Sequence, residues 1–239
     1  MYGVREDTTD FEGSQPPPAG AALVFPEFDE MGETKLHLEL RTLIYQVLKL
    51  AFADRAVIGC DQFVYWDRTN PRACVAPDAF VRLGEPNHLF GSWKVWERGG
   101  VPDVALEIIS DWDARDSNWQ AKFASYEQLG VRELVRFDGD YPGRMLRVWD
   151  AVGGTLVERK LSERKAKSFV LPGFWLVIED PEFGLTLRLS HDEHGRELYP
   201  TPAEAHRAEA EAHRAEAEAY RAEAEARIRE LEAELRRKP

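Results

Sequence analysis

Two acidic residues stand inside otherwise apolar, strand-like runs. Asp78 lies within 75–81 (VAPDAFV), and Glu107 lies within 102–110 (PDVALEIIS). A carboxylate that is buried alone is costly, so such an acid is normally paired, hydrogen-bonded or bound to a cation. Two acids on neighbouring strands could share Mg²⁺, which takes one or two carboxylates and keeps several waters. Each could equally face solvent at a strand end or pair with an arginine, and the pattern alone leaves both interpretations open.

A lysine and a second acidic position could extend this site. Lys122 lies next to Phe123 on the flank of an apolar helix face, from which an ammonium could reach Glu107 and orient a water or stabilise a phosphate. The alternative is a surface lysine beside an aromatic ring. Glu33 and His37 are four residues apart, so they share one face of a predicted helix. They could enlarge the acidic cluster, or they could be a capping acid and a half-buried histidine.

The elements that must position these residues follow from periodicity. Apolar residues at helical spacing, with Thr34 as N-cap, predict a first helix, and a second helix ends at Gly130. Short apolar and β-branched runs predict strands between and after them. The order predicts a mixed α/β sandwich. The predicted helices cover 34–53 and 119–129. The predicted strands cover 57–66, 73–83, 102–110, 131–137, 144–150, 155–160 and 166–178, the last with an interruption at Pro172-Gly173.

Composition divides the chain of 239 residues into three parts. We expect 1–22 to be disordered because it is polar and proline-rich. The span 23–200 holds almost all aromatic residues and forms the predicted folded domain. The span 201–239 repeats HRAEAEA every seven residues, which predicts one long helix. Its seam is mainly alanine, so it is either a solitary charged helix or a weak coiled coil.

Composition also excludes several classes of protein. No apolar run approaches the roughly 20 residues of a spanning helix, and the N-terminus lacks the apolar core of a signal peptide. The two cysteines have no metal-type spacing, so we expect a reducing, cytoplasmic compartment and no membrane partner. The formal charge of −12 argues against a broadly basic nucleic-acid coat. There is no P-loop, dinucleotide-binding glycine turn, HExxH or GxSxG motif.

Five short motifs in order resemble one known family. The chain resembles the Uma-type putative restriction endonuclease family of the PD-(D/E)XK nuclease superfamily over about residues 30–200, and some members also have a helical tail. The resemblance implies a restriction-endonuclease-like mixed β-sheet core flanked by helices. The motifs are 33–37 (ETKLH), 70–72 (NPR), 75–78 (VAPD), 102–110 (PDVALEIIS), and 122–126 (KFASY) with 130–133 (GVRE).

The resemblance implies a site and an activity. Asp78 and Glu107 would be the two acids, and they would hold Mg²⁺ or Mn²⁺ together with the backbone carbonyl of Ile108. The usual lysine position is occupied by Ile109, so the resemblance transfers that role to Lys122, which would orient the attacking water. The implied function is metal-dependent hydrolysis of nucleic acid, with DNA as the expected substrate and without a covalent enzyme intermediate. The expected oligomeric state is a homodimer.

Two other functions stay open from the sequence. A catalytically inactive module could keep the fold and assemble through its helical tail, and a nuclease could act on RNA or a small nucleotide. An intact cluster of Asp78, Glu107 and Lys122 would favour the enzyme. A core in which Arg or Lys neutralises both acids would favour the module.

Overall fold

The computed structural model describes residues 34–109, 116–140, 144–161 and 164–237. The segment 1–22, for which disorder is predicted, lies outside these residues. Three helices are described, α1 (Lys35–Phe52), α2 (Asp116–Leu129) and α3 (Pro202–Arg237). The strands are β1 (Ala56–Gly59), β2 (Val64–Tyr65), β3 (Cys74–Val75), β4 (Ala79–Leu83), β5 (Trp93–Lys94), β6 (Val104–Ile108), β7 (Glu133–Phe137), β8 (Leu146–Val152), β9 (Thr155–Glu158), β10 (Lys165–Lys167), β11 (Phe174–Asp180) and β12 (Gly184–Ser190).

A six-stranded sheet in the order β1-β4-β6-β7-β8-β9 forms the centre of the described chain. Strands β6 and β7 pair in parallel, and the other neighbouring pairs of this sheet are antiparallel. Two smaller sheets, β10-β11-β12 and β3-β2-β5, accompany it. The predicted mixed α/β fold, with a mixed β-sheet core flanked by helices and a long C-terminal helix, is therefore confirmed.

Helix α1 covers one face of the central sheet. The Thr34 hydroxyl accepts a hydrogen bond from the His37 amide at 3.2 Å and so caps the first turn. Leucine, isoleucine and valine side chains at helical spacing form one apolar face of α1. This face packs into a core shared with β4, β6 and the β11-β12 hairpin. This packing fixes the start of α1 against the end of β6. The buried apolar residues of α1 are Leu40, Leu43, Ile44, Val47, Leu48 and Phe52.

Helix α2 connects the two parallel strands and covers the opposite face. A parallel pair needs such a crossover, and all five residues of β6 are buried. Trp119, Tyr126 and Leu129 pack into a second core with residues of β6, β7 and β8. Gly130 ends the helix at φ +83°, a conformation that favours glycine. The carboxyl ends of β6 and β7 consequently meet at one edge of the sheet, beside α2.

A buried acid joins the central sheet to the β10-β11-β12 sheet. Glu133, at the start of β7, is fully buried. Its carboxylate accepts hydrogen bonds from the Ser168 hydroxyl at 2.7 Å, the Trp175 indole at 2.9 Å and the Phe169 amide at 2.9 Å. Arg159 supplies the charge partner at 2.8 Å. The acid is therefore compensated by a hydrogen-bonded set that fixes the two sheets together.

Several predicted strand boundaries were wrong. The predicted strand 57–66 is divided into β1 and β2, because the chain turns at Asp61 with φ +67°. The predicted strand 73–83 is likewise divided into β3 and β4. The predicted interruption of 166–178 at Pro172-Gly173 lies between β10 and β11, as expected. Strand β12 was not predicted; it pairs with β11 over seven residues. Pairing across the sheet, which the sequence pattern does not encode locally, determined these limits.

Helix α3 confirms the long helix predicted for the tail. It has 36 residues and is therefore about 54 Å long. Its first turn is fixed by reciprocal hydrogen bonds between Thr201 and Glu204, and by the buried guanidinium of Arg188, which donates to the Glu204 carboxylate at 2.7 Å. Beyond this turn most side chains are exposed, including Tyr220 and Ile228. None of the described helices is apolar enough over sufficient length to span a bilayer.

Candidate active site

The two predicted acids meet at the edge where β6 ends. Glu107 is the penultimate residue of β6 and is fully buried. Asp78 directly precedes β4, and the pairing of Ala79 with Leu106 places Asp78 opposite Glu107. The Ile108 amide donates a hydrogen bond to Asp78 Oδ2 at 2.7 Å. The chain thus brings both carboxylates to one position by strand register and fixes one of them through the backbone next to the other.

Helix α2 supplies two partners of Glu107. Lys122 Nζ lies 2.6 Å from Glu107 Oε2, and the Tyr126 hydroxyl, one turn later, donates a hydrogen bond to Oε1. Burial raises the pKa of Glu107 to about 8; the Lys122 charge opposes this shift, the Asp78 charge adds to it, and the Tyr126 hydrogen bond opposes it. In the absence of a cation this carboxyl therefore retains a proton near neutral pH.

Helix α1 brings His37 to the same position. His37 Nε2 lies 3.3 Å from Asp78 Oδ1 and 3.1 Å from the carbonyl oxygen of Ile108. The imidazole is 14% exposed. Asp78 Oδ1 and the Ile108 carbonyl oxygen, both predicted to bind a cation, therefore lie close to the same N–H group of His37. Of the two additional residues suggested by the sequence, His37 reaches the site, and Glu33 lies outside the described residues.

The donor set fits a hard divalent cation with few protein ligands. Asp78, Glu107 and the Ile108 carbonyl offer oxygen atoms, which Mg²⁺ and Mn²⁺ prefer. The convergence of Asp78 Oδ1 and Ile108 O on His37 Nε2 shows that both can face one electropositive atom. Within the ranges that the structure covers, no cluster of three or more His, Cys, Asp or Glu side chains is arranged to hold a metal. Water would therefore complete the coordination shell.

A second ion pair, between Arg41 and Asp61, holds the loop that precedes Asp78. Arg41, one turn after His37 on α1, is buried and forms an ion pair with Asp61. The Asp61 amide donates to the Pro77 carbonyl at 2.9 Å, directly before Asp78. The left-handed backbone of Asp61 is uncommon for a residue other than glycine. The pair therefore ties the Asp78 loop to the helix that presents His37.

The sequence missed some of these residues and misplaced another. Neither the Tyr126 hydroxyl nor Arg41 was identified as a partner of the site, although an arginine on an apolar helix face was a usable signal. The sequence also suggested that Arg68, Arg72, Arg82, Lys94, Arg98 and Arg115 gather near the acids. Arg82 instead binds Asp103 at 2.8 Å at the other end of β4, and Arg115 lies outside the described residues. Ile109, at the usual lysine position, donates its amide to the Phe137 carbonyl.

The central mixed sheet, its flanking helices and the paired carboxylates define an α/β protein with an acidic site at a strand end. The family model for Uma2, described as "Putative restriction endonuclease", matches residues 21–180, which is more than half of the chain. The chain therefore belongs to the Uma2 family, and the resemblance found in the sequence is confirmed.

One similar solved structure is described as a "putative nuclease belonging to DUF820 from Anabaena variabilis ATCC 29413". The match covers 64% of this chain and 76% of that chain, with 16% sequence identity and a TM-score of 0.37. A search of curated proteins found no match.

Proposed function

We propose that this protein is a metal-dependent endonuclease that hydrolyses phosphodiester bonds in nucleic acid, with DNA as the first candidate substrate. One observation carries the proposal: Asp78 and Glu107 stand opposite each other at a strand end, and Lys122 of α2 contacts Glu107 at 2.6 Å. Membership of the Uma2 family supports the reaction class.

Asp78, Glu107 and the Ile108 carbonyl would hold Mg²⁺ or Mn²⁺. When bound, the cation would polarise a phosphoryl oxygen and favour deprotonation of a water molecule. Ionised Glu107 is needed for this, so the proton that burial keeps on the carboxyl must leave as the cation binds. The hydrogen bond from the Ile108 amide keeps Asp78 Oδ2 in place and leaves Oδ1 directed towards His37.

Lys122 would position the nucleophile and oppose charge on the phosphate. Its side chain is 25% exposed, whereas Glu107 is fully buried, so the ammonium stands between the acid and solvent. From there it can donate to a water and to a phosphoryl oxygen. Because the cation and the lysine together suffice to activate water, no covalent enzyme intermediate is required.

The contacts of the two acids favour the enzyme over the inactive module. Lys122 is the cationic partner of Glu107, whereas Asp78 is contacted by His37 and by a backbone amide. Neither Lys nor Arg is recorded against Asp78 among the described residues. The acids are therefore not both neutralised by permanent cations, which is the arrangement that would have indicated a purely structural core.

The test is incubation of the purified protein with plasmid DNA, single-stranded DNA and RNA, each with Mg²⁺, Mn²⁺ or EDTA. We expect cleavage of at least one polymer with a divalent cation and none with EDTA. The Asp78→Asn variant should lose cleavage, and Glu209→Gln, which changes an exposed acid of α3, should retain it. Cleavage that persists in EDTA, or in Asp78→Asn, would contradict the proposed role of the metal.

A further inference from the structure

A row of basic side chains starts at the acid pair and crosses the sheet to its edge. In the strand register, Glu107 of β6 lies opposite Arg136 of β7, and Arg136 lies opposite Arg147 of β8. The ladder between β8 and β9 pairs Trp149 with Glu158, and the Arg159 amide continues it by donating to Val148 at 2.9 Å. Arg147 therefore lies opposite Lys160, directly after β9.

These residues share one face of the sheet, because residues directly opposite each other on paired strands point to the same side. Neighbouring strands are about 4.8 Å apart, so the backbones of Arg136, Arg147 and Lys160 lie about 5, 10 and 15 Å from that of Glu107. Successive phosphates of one nucleic-acid strand follow every 3.4 Å or so along the helix axis. The row therefore has the length of a few nucleotides.

Aromatic rings orient the first two guanidinium groups of the row. Arg136 lies 4.5 Å from the centre of the Trp119 ring, and Arg147 lies 4.6 Å from that of Trp149. Both tryptophans are buried. Stacking on a buried ring holds each guanidinium plane, and a carboxylate binds each edge: Asp138 lies 3.2 Å from Arg136, and Glu158 lies 2.6 Å from Arg147. The two arginines are consequently pre-oriented, and a phosphate that binds them would share them with Asp138 and Glu158.

The outer end of the row opens into a basic pocket of about 420 Å³. Arg147 forms a two-bond ion pair with Glu158, at 2.8 and 2.6 Å, and Arg144 lies 4.0 Å from the same carboxylate. Arg144 and Lys160 are exposed, and Glu158 is the one acid among the residues that line the pocket. The pocket is lined by Arg144, Leu146, Arg147, Glu158, Arg159, Lys160 and Leu161.

The charge of the pocket differs in sign from that of the chain. Arg159 is balanced by Glu133 and Asp150, and its guanidinium stacks on Phe169, so it belongs to the internal network. The remaining Arg144, Arg147 and Lys160 outnumber Glu158, whereas the whole chain carries a formal charge of −12. A local excess of positive charge on an acidic protein focuses polyanions at that position.

We propose that Arg136, Arg147, Lys160 and Arg144 form a track that binds the phosphodiester backbone of the substrate strand beside the bond to be cleaved. This inference rests on the proposed nuclease function and adds the path of the substrate. The track begins at the strand position of Glu107 and ends in a polar pocket, so it fits an extended polyanion that passes the acid pair. Its contacts are to phosphate, so it binds without selecting sequence.

The test measures binding of a fluorescein-labelled DNA strand by anisotropy in EDTA, which separates binding from cleavage. We compare the wild type with Arg144→Gln/Lys160→Gln, two exposed changes that leave the Arg147–Glu158 pair intact. The matched control is Arg207→Gln/Arg214→Gln on exposed α3, which removes the same charge. We expect about tenfold weaker binding by the track variant, a salt dependence smaller by about 1–2 in log–log slope, and a change of less than about twofold in the control.

Equal weakening in the track and control variants, or no DNA binding by the wild type, would overturn the track. Cleavage assays of the same proteins distinguish failure of the track from failure of the proposed nuclease function. If the wild type cleaves with Mg²⁺ and the track variant binds normally, the track is wrong and the nuclease stands. If binding depends on Arg144 and Lys160 but no polymer is cleaved, the track stands and the proposed catalysis fails.

Discussion

Glu107 is the residue on which the account depends most. It lies in a fully buried strand, contacts Lys122 and Tyr126 through its carboxylate, and has a pKa raised to about 8 by burial. A group that is costly to ionise in the folded chain is poorly suited to a purely structural role. It is well suited to a site in which a divalent cation displaces the proton.

The first prediction concerns the stability of Glu107→Gln in EDTA. The ordinary pKa of a glutamate is 4.5, and the folded value is about 8. Between these pH values the unfolded chain has released a proton that the folded chain retains, so the free energy of unfolding of the wild type falls as pH rises. Glutamine has no such dependence. From pH 5 to pH 8, the free energy of unfolding of the variant should therefore rise relative to that of the wild type by about 2 kcal/mol or more.

Urea denaturation at a series of pH values provides this comparison. Added Mg²⁺ should reverse the ranking at pH 8, because it stabilises the wild type and finds no carboxylate at position 107 in the variant. A difference between the two proteins that does not change with pH would show that Glu107 is already ionised in the folded chain.

The second prediction concerns Lys122→Met. The ammonium contacts Glu107 and lowers the pKa of that carboxyl against the effect of burial, so its loss raises the pKa further. Cleavage should fall about a hundredfold or more, and Mn²⁺ binding should require a higher pH. Lys94→Met is the control, since Lys94 is 27% exposed and also pairs with an acid. Unchanged cleavage by Lys122→Met would remove the lysine from the mechanism.

Individual residues of the site were accessible from the sequence to different degrees. An acid in an apolar run is a strong local signal, and this pattern identified both Asp78 and Glu107. The contact between Lys122 and Glu107 depends on the packing of α2 against β6. The local sequence does not encode this packing, so the contact was predicted only on the assumption that the helix packs there. The Arg41–Asp61 pair and the arginine track depend on strand register and helix approach, so no spacing along the chain identifies them.

At the scale of elements, the β6–α2–β7 crossover produces the site. It aligns the ends of two parallel strands and places one helix over them. Periodicity correctly predicted both strands, whose apolar runs are nearly continuous, and the helix, whose large residues Trp119, Phe123 and Tyr126 recur at helical spacing. It failed at β2, β3 and β5, which have two residues each, and at β12, whose limits are set by pairing with β11.

The third prediction tests the junction between the central sheet and the β10-β11-β12 sheet. Glu133→Gln should lower the free energy of unfolding by about 2–4 kcal/mol, because one amide cannot replace a carboxylate that accepts from Arg159, Ser168, Trp175 and Phe169. Thermal or urea denaturation measures this loss. The control is Glu179→Gln, an exposed acid of β11, which should change stability by less than about 0.5 kcal/mol. Equal stability of both variants would show that the junction contributes little.

At the scale of the whole molecule, α3 is attached at its first turn and exposed beyond it. Arg188 and Thr201 hold Glu204, and the few large apolar residues lie near the far end. Alanine at most seam positions buries little area, so pairing through this helix should be weak. The predicted domain limits and the homodimer stay predictions, and we expect the dimer to depend on the folded domain.

The fourth prediction is that truncation after His206 leaves the oligomeric state unchanged. This end point retains Glu204, so Arg188 keeps its carboxylate partner and the folded domain is not disturbed. Light scattering of the full chain and the truncated chain at the same concentrations measures the outcome. Conversion of a stable dimer wholly to monomer would show that the alanine-rich helix contributes most of the association energy.

The most direct test of the proposed nuclease site is single-turnover cleavage of supercoiled plasmid by the wild type and by Glu107→Gln, with Mg²⁺ or Mn²⁺. The account predicts metal-dependent nicking by the wild type and a loss of about a thousandfold or more in the variant, which should stay folded and keep its DNA affinity in EDTA. Nicking by Glu107→Gln at the wild-type rate would contradict the assignment of this site as the centre of the reaction.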